Sequence, residues 1–215
     1  MKYNMKSVET VYNGTTFRSR LEANWAACFD IYRWQWTYEP FDLDGWFPDF
    51  LLKSEDSERP DVLVEVKPLT SFCEETAQKI QGALEKTNNH RVPALLVGTE
   101  PFWSEEGEQM CVGWLLEYMD YEDSWSWDEA PMRYVDWSYC SDEESWQDAW
   151  KDPRRPKARI DFCHATQDYR QRITGYYDGN SGLGHASMTA KTFAERGFSE
   201  AKKKVQYQSK GRKNA

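Results

Sequence analysis

Between residues 16 and 32 the apolar side chains Phe17, Leu21, Trp25, Cys28, Phe29 and Tyr32 recur every three or four positions, the spacing of one face of an α-helix. Asn13-Gly14 is a turn signal, and Thr15 or Thr16 can cap a helix beginning there. The pattern therefore predicts a helix over 16–32. Glu22 falls at the margin of the stripe, about 100° around the helix from Leu21, where a carboxylate can look sideways into a cleft. The period then shortens. Two apolar-aromatic runs flank Asp44-Gly45, a strong hairpin signal, and predict strands at 35–43 and 46–52. Phe47, Asp49 and Leu51 share a face of the second, and Pro48, which lacks an N–H, marks an edge or a bulge. In the third run, 61–67, Val62, Val64 and Val66 point one way and Asp61, Leu63, Glu65 and Lys67 the other. Pro68 ends it.

A second helical pattern covers 74–87, with Ala77, Ile80, Ala83 and Leu84 inward, and a short apolar strand succeeds it at 91–98. Residues 1–100 thus read as an α/β core of order αβββαβ, a mixed sheet flanked by helices. Residues 101–215 read as an accessory α+β region. Its expected strands are 109–118 and 131–139, joined by an acidic, tryptophan-bearing loop. Ser141-Asp142-Glu143-Glu144 is a capping box that opens a short helix to Trp150. DPRRPK is a turn, 165–173 a further helix, and the glycine-rich 175–184 a loop. A basic helix over 187–207, interrupted near Gly197 and recapped by Ser199, leads to a disordered tail.

Composition narrows the class. The chain has 215 residues and eleven tryptophans, enough for a sizeable core. No apolar run is long enough for a transmembrane helix, and the N-terminal residues lack the apolar centre of a signal peptide. A cytoplasmic protein is expected. Five scattered cysteines with no CxxC pair argue against a disulfide framework. Cys140, Cys163 and His164 are conceivable zinc ligands, but their spacing matches no standard finger, and free thiols packed as small apolar groups are the preferred reading.

The net charge of −9 argues against a protein that coats nucleic acid nonspecifically. The charge is also segregated. From 104 to 148 the only basic residue is Arg133, whereas basic residues dominate from Lys151 onward. Acidic neighbours argue against base stacking by the tryptophans of 103–150, which suit core packing or a protein partner instead. Lys202, Lys203 and Lys204 are the better candidates for contact with a nucleic-acid backbone.

The chemistry concentrates on Asp49, Glu65 and Lys67. A buried strand with an acid and a lysine two residues apart on one face is costly unless both charges are used or paired. Phosphodiester hydrolysis needs a metal to polarise the phosphate and acidify a water, and Mg²⁺ takes hard oxygen ligands while keeping several waters. Asp49 and Glu65 on adjacent strands can share an ion, with the Val66 carbonyl as a backbone ligand and Glu22 as an additional one. Lys67 can orient or help deprotonate the water. Arg18 and Arg20 either contact phosphate beside the scissile bond or are exposed to solvent or paired with Asp30 or Glu39. Ser19-x-x-Glu22 also has the form of a capping box, but Phe17 fits the apolar stripe and Thr15 or Thr16 is available as cap, so Glu22 is assigned to the cleft. Asp61 reads as a strand-end residue, Gln78 and Lys79 as surface, and His90 and His185 have no assigned role.

Glu22 in FRSRLEANW, Pro48-Asp49 and Glu65-Val66-Lys67, in this order, resemble the PD-(D/E)xK nuclease superfamily. The nearest flavour is that of TnsA-type transposon endonucleases and small phage nucleases with an FRSxLE…PDF…VEVKP arrangement. The resemblance covers about 15–98. It implies the αβββαβ core, one or two Mg²⁺ (or Mn²⁺) ions and endonucleolytic cleavage of DNA leaving 5′-phosphate ends. The alternative expectation is a non-catalytic or partner-dependent interaction protein on a nuclease fold, whose acidic half binds protein or mimics DNA.

Overall fold

The computed structural model describes residues 7–55, 57, 59–88, 92–120, 122–135, 159–164, 173 and 183–211. Asn13 and Gly14 both take positive φ, 48° and 82°, as a two-residue hairpin turn requires. β1 (Thr10–Tyr12) accordingly pairs antiparallel with β2 (Thr15–Phe17). The helix expected from residue 16 starts later, as α1 (Arg20–Tyr32), because the β-branched Thr15 and Thr16 are used in the hairpin and Ser19 is the N-cap.

Next come β3 (Trp36–Tyr38), β4 (Phe50–Leu52), β5 (Val62–Val66), α2 (Glu74–Lys86) and β6 (Ala94–Val97). β3, β4 and β5 are antiparallel neighbours, while β5 and β6 run parallel across the α2 crossover. The element order over this part is αβββαβ. The Asp44-Gly45 turn forms, with φ of 50° and 88° and Leu43 bridged to Trp46. Its strands are nevertheless shorter than predicted. Pro40 and Pro48 cannot donate to the ladder, and the register shifts by one residue between the Tyr38–Phe50 and Leu43–Trp46 pairs.

Beyond residue 100 the sheet continues without a break. β7 (Phe102–Ser104), β8 (Gln109–Met119), β9 (Ser124–Val135) and β10 (Arg159–Phe162) extend it to eight strands in the order β10-β9-β8-β6-β5-β4-β3, with β7 pairing on β8. The sequence pattern does not announce β7. The acidic tryptophan segment is strand from Ser124, not loop. Trp125 and Trp127 alternate with Ser126 and Asp128, and the two rings pack against the cluster beneath α2. That period of two outweighs the acidic composition.

α3 (Leu183–Gly211) is one continuous helix, with neither an interruption at Gly197 nor a new cap at Ser199. It runs past the expected end at 207, and 212–215 lie outside the described residues. Tertiary packing explains the continuity at Gly197. α3 lies against α1, with Phe198 and Trp25 rings 4.9 Å apart and the Tyr32 hydroxyl donating to the Ala194 carbonyl at 3.0 Å. A Cβ at Gly197 would stand 2.6 Å from Tyr32 Cε1, so the glycine permits close approach and does not break the helix.

The sheet separates two apolar layers. Val62, Val64 and Val66 join Trp25, Phe29, Phe198 and Ala201 on the α1/α3 side, whereas Leu63 joins Ile80, Leu84 and Leu96 on the α2 side, the alternation read from the sequence. No helix among the described residues is long and apolar enough to cross a membrane. The helix expected at 141–150 and most of 165–173 and 175–184 lie outside the described residues, as do His90 and Cys140.

Candidate active site

The charged residues gather where the chain enters β4 and leaves β5. Asp49 directly precedes β4, Glu65 is the fourth residue of β5, and Lys67 lies just past the strand end. β4 and β5 run antiparallel, so these residues meet at one end of the pair. Asp49 is only 2 % exposed. Its Oδ2 accepts from the Val66 N–H at 2.7 Å, and its Oδ1 accepts from Arg18 Nη2 at 2.5 Å. Glu65 is also buried, with Oε1 in an ion pair with Lys67 Nζ and Oε2 accepting from Trp46 Nε1 at 2.9 Å.

Glu22 comes from the first turn of α1. Ser19 Oγ accepts from the Glu22 N–H at 3.1 Å and donates to Glu22 Oε1 at 2.7 Å. Glu22 therefore does take part in the helix cap, contrary to its assignment to the cleft alone, because Ser19 and not a threonine is the cap. Its second oxygen still faces the cluster. Oε2 accepts from the Tyr38 hydroxyl at 2.6 Å and from the Arg18 N–H at 3.1 Å. One carboxylate thus both fixes the helix start and contributes to the cluster.

Arg18 ties these groups together. Beyond Asp49, its Nε lies 3.0 Å from Glu39 Oε1 and 3.9 Å from Glu22 Oε2. Pairing with Glu39, one of the alternatives weighed for it, is present. Arg20 is exposed on the first turn. Lys202 pairs with Glu100 at 3.1 Å and lies over the Phe198 ring, while Lys203 and Lys204 are exposed on α3. Asp61 pairs with Lys53 at 2.6 Å and receives the Ser54 N–H, a strand-end role. Gln78 and Lys79 are exposed. Cys163 and His164 are buried near the Pro131 and Ser126 carbonyls.

The electrostatics derive from burial. Asp49 is pushed up to about 7, first by loss of water and then by the Glu65 carboxylate, against the pull of Lys67 and the Val66 N–H. Burial works against the Lys67 charge, but Glu65 and Asp49 more than offset it and hold the ammonium above its usual range. Arg18 is likewise held above its range, chiefly by Asp49, in spite of partial burial. Burial and the bond to Glu22 raise the Tyr38 phenol, which stays a donor.

Among the described residues no group of three or more His, Cys, Asp and Glu side chains is arranged as a metal-ion site. Here the outward oxygens of Asp49 and Glu65 face Arg18 and Lys67. The donor set still fits a hard divalent cation. Three buried carboxylates (Glu22, Asp49, Glu65) stand against two cations, and Asp49 is raised first by burial and then by Glu65. Tyr38, Glu39 and Trp46 join the site without a motif to mark them in the sequence. Trp46 carries one usable signal, since a buried indole N–H needs an acceptor.

No protein-family model, curated protein or solved structure matches the chain.

Proposed function

We propose that the protein is a divalent-metal-dependent phosphodiesterase acting on DNA, with its reaction centre at Asp49, Glu65, Lys67 and Glu22. The observation that carries this reading is the Asp49–Glu65 pair: two buried acids on neighbouring strands, one of them raised to about 7, beside a lysine that keeps its proton. Asp49 and Glu65 would hold Mg²⁺ or Mn²⁺, with Glu22 and the Val66 carbonyl as further donors. Such an ion, when bound, supplies phosphate polarisation and a more acidic water.

The chain's own groups divide the remaining work. Lys67 is an ammonium in the resting protein, so it donates to a water or a phosphate oxygen and offsets charge; it does not accept a proton. Trp46 fixes one oxygen of Glu65, and Tyr38 fixes one of Glu22, which limits their rotamers. Arg18 would meet a phosphate. Lys202, Lys203 and Lys204 would contact the backbone at a distance from the acids.

A cleavage assay tests the reading. Labelled duplex, single-stranded and branched DNA and RNA are incubated with wild type and Lys67→Ala in Mg²⁺, Mn²⁺ or EDTA. Metal-dependent cleavage, reduced at least about 100-fold in the variant, is expected. A folded, metal-loaded wild type that cleaves none of these substrates refutes it. A second reading, an interaction protein on this scaffold, draws on one observation: Arg18 and Lys67 already neutralise two of the acids without an ion. Nucleic-acid or protein binding in EDTA, unchanged by Lys67→Ala, would favour it.

A further inference from the structure

Arg18 sits in two seats at once. Its Nη2 is on Asp49 Oδ1 at 2.5 Å, and its Nε is on Glu39 Oε1 at 3.0 Å. The other oxygen of Asp49 is already taken by the Val66 N–H. The oxygen under Arg18 is therefore the one through which Asp49 could reach an ion. Asp49 is buried, but the Arg18 side chain is 54 % exposed and Glu39 is 44 % exposed. The guanidinium can leave Asp49 and keep its partner on Glu39. The backbone holds this arrangement in place. Glu39 adopts φ of 44° and donates its N–H to the Asp49 carbonyl at 2.9 Å, so the second seat is fixed beside the first. The Arg18 N–H is anchored by Glu22 Oε2 and the Tyr38 oxygen, each at 3.1 Å. Only the side chain is left to move.

We propose that Arg18 is a displaceable internal cation, occupying the metal-facing oxygen of Asp49 in the free protein and yielding it to a divalent ion. This inference rests on reading Asp49 and Glu65 as metal ligands and adds a regulatory element to that site. It has two consequences. Arg18 competes with the ion, so removing it tightens metal binding. A phosphate that draws the guanidinium away also favours the ion, so phosphate and metal binding are positively and reciprocally coupled. A residue with a merely structural role would not give tighter binding when truncated.

The test is Mn²⁺ titration of the full chain, read by the electron paramagnetic resonance of free Mn²⁺, for wild type, Arg18→Ala, Arg18→Gln, Asp49→Asn and Lys86→Gln. Loss of a half-exposed ion pair sets the scale at about fivefold. Arg18→Ala and Arg18→Gln should bind about two- to fivefold more tightly than wild type. Asp49→Asn should lose the site. Lys86 pairs with Asp44 on the hairpin that carries Asp49. Lys86→Gln removes one positive charge there and should leave the affinity unchanged. Unchanged or weaker binding in both Arg18 variants, with Asp49→Asn still abolishing it, overturns the proposal and leaves the metal site standing. Equal tightening in Lys86→Gln overturns it too, because the effect would then be a general field. Absence of Mn²⁺ binding in wild type and both Arg18 variants, or binding indifferent to Asp49→Asn, removes the metal site and this proposal together. Arg18→Gln keeps most of the side-chain length and serves if Arg18→Ala does not fold.

Discussion

Replacing Asp49 by asparagine should stabilise the metal-free protein at alkaline pH and do little at acid pH. The carboxyl is pushed from its ordinary 3.8 up to about 7 by burial and by Glu65. A carboxyl raised in the folded state binds its proton more tightly there than in the unfolded chain. Its contribution to stability is therefore fully present below about pH 4, is lost as pH rises through about 7, and is level above that. At 1.36 kcal/mol per pH unit this displacement sets a ceiling of about 4 kcal/mol. The half-exposed ion pair with Arg18 opposes it by about 1 kcal/mol, which leaves an expected gain of about 3 kcal/mol for Asp49→Asn at pH 8. Below about pH 4 the carboxyl is neutral in the folded and the unfolded chain alike, and an amide of the same size can still accept from the Val66 N–H, so the two proteins should differ little there; at about pH 5 the unfolded carboxyl is already ionised and the variant should lead by about 1 to 2 kcal/mol. Urea unfolding in EDTA across about pH 4 to 8 measures this directly. A difference that does not change with pH, or a variant less stable at pH 8 than at pH 5 relative to wild type, refutes the assignment of a carboxyl raised by burial to Asp49.

Two further substitutions examine the packing that positions the site. Gly197→Ala should lower stability by about 1 to 2 kcal/mol, because overpacking against the hydrogen-bonded Tyr32 ring exceeds the roughly 1 kcal/mol gained in helix propensity; a rise in melting temperature would contradict the close α1–α3 approach. Trp25→Phe should cost about 2 to 4 kcal/mol, since it leaves the Gly98 carbonyl without its 2.8 Å indole donor and opens a cavity between Phe29 and Phe198; denaturant unfolding near wild type would show that this buried bond is not needed.

Legibility in the sequence tracks how local each determinant is. α2 and β5 are readable almost to the residue, since their apolar periods are uninterrupted and Pro68 marks an end. Asp44-Gly45 is readable because a two-residue turn fixes its own residue types. The start of α1 is misplaced from sequence because Thr15 and Thr16 suit either a cap or a strand, and the pairing with β1 decides between them. β9 comes out too short because its acidic composition masks a Trp-Ser-Trp-Asp alternation. A break is expected in α3 because a glycine inside a helix signals weakness, while its reason here, the Tyr32 ring, belongs to another helix. In the site, the meeting of Asp49, Glu65 and Lys67 stems from the period of two along adjacent strands. The Tyr38 and Trp46 contacts do not, since no motif marks them, and Glu39 is readable only as one of the acids open to Arg18, its seat being set by a positive φ.

The distribution of charge around β4 and β5 is the strongest reason to look for chemistry at this place. Away from the cluster the same two strands carry Phe50, Leu52, Val62 and Leu63, all fully buried, so this sheet readily closes with apolar side chains. At one end it instead buries three carboxylates, and well-packed apolar groups in place of buried ions are often neutral or stabilising. The acids are inside and their cations are outside: Arg18 and Lys67 are each about half exposed, while Glu22, Asp49 and Glu65 are not. A network selected only for stability has no need of that asymmetry. A site that must fold before its ion arrives does need it, because mobile surface cations can compensate the acids in the free protein and then withdraw. Arg18 and Lys67 also differ in how they would withdraw. Lys67 is two residues from Glu65 in the chain and keeps it as a neighbour, whereas Arg18 has a second acid, Glu39, waiting. Mn²⁺ affinity in the Arg18 variants therefore discriminates between a stabilising network and a poised one more sharply than any loss of activity, since only the poised network binds better when Arg18 is taken away and not when Lys86 is.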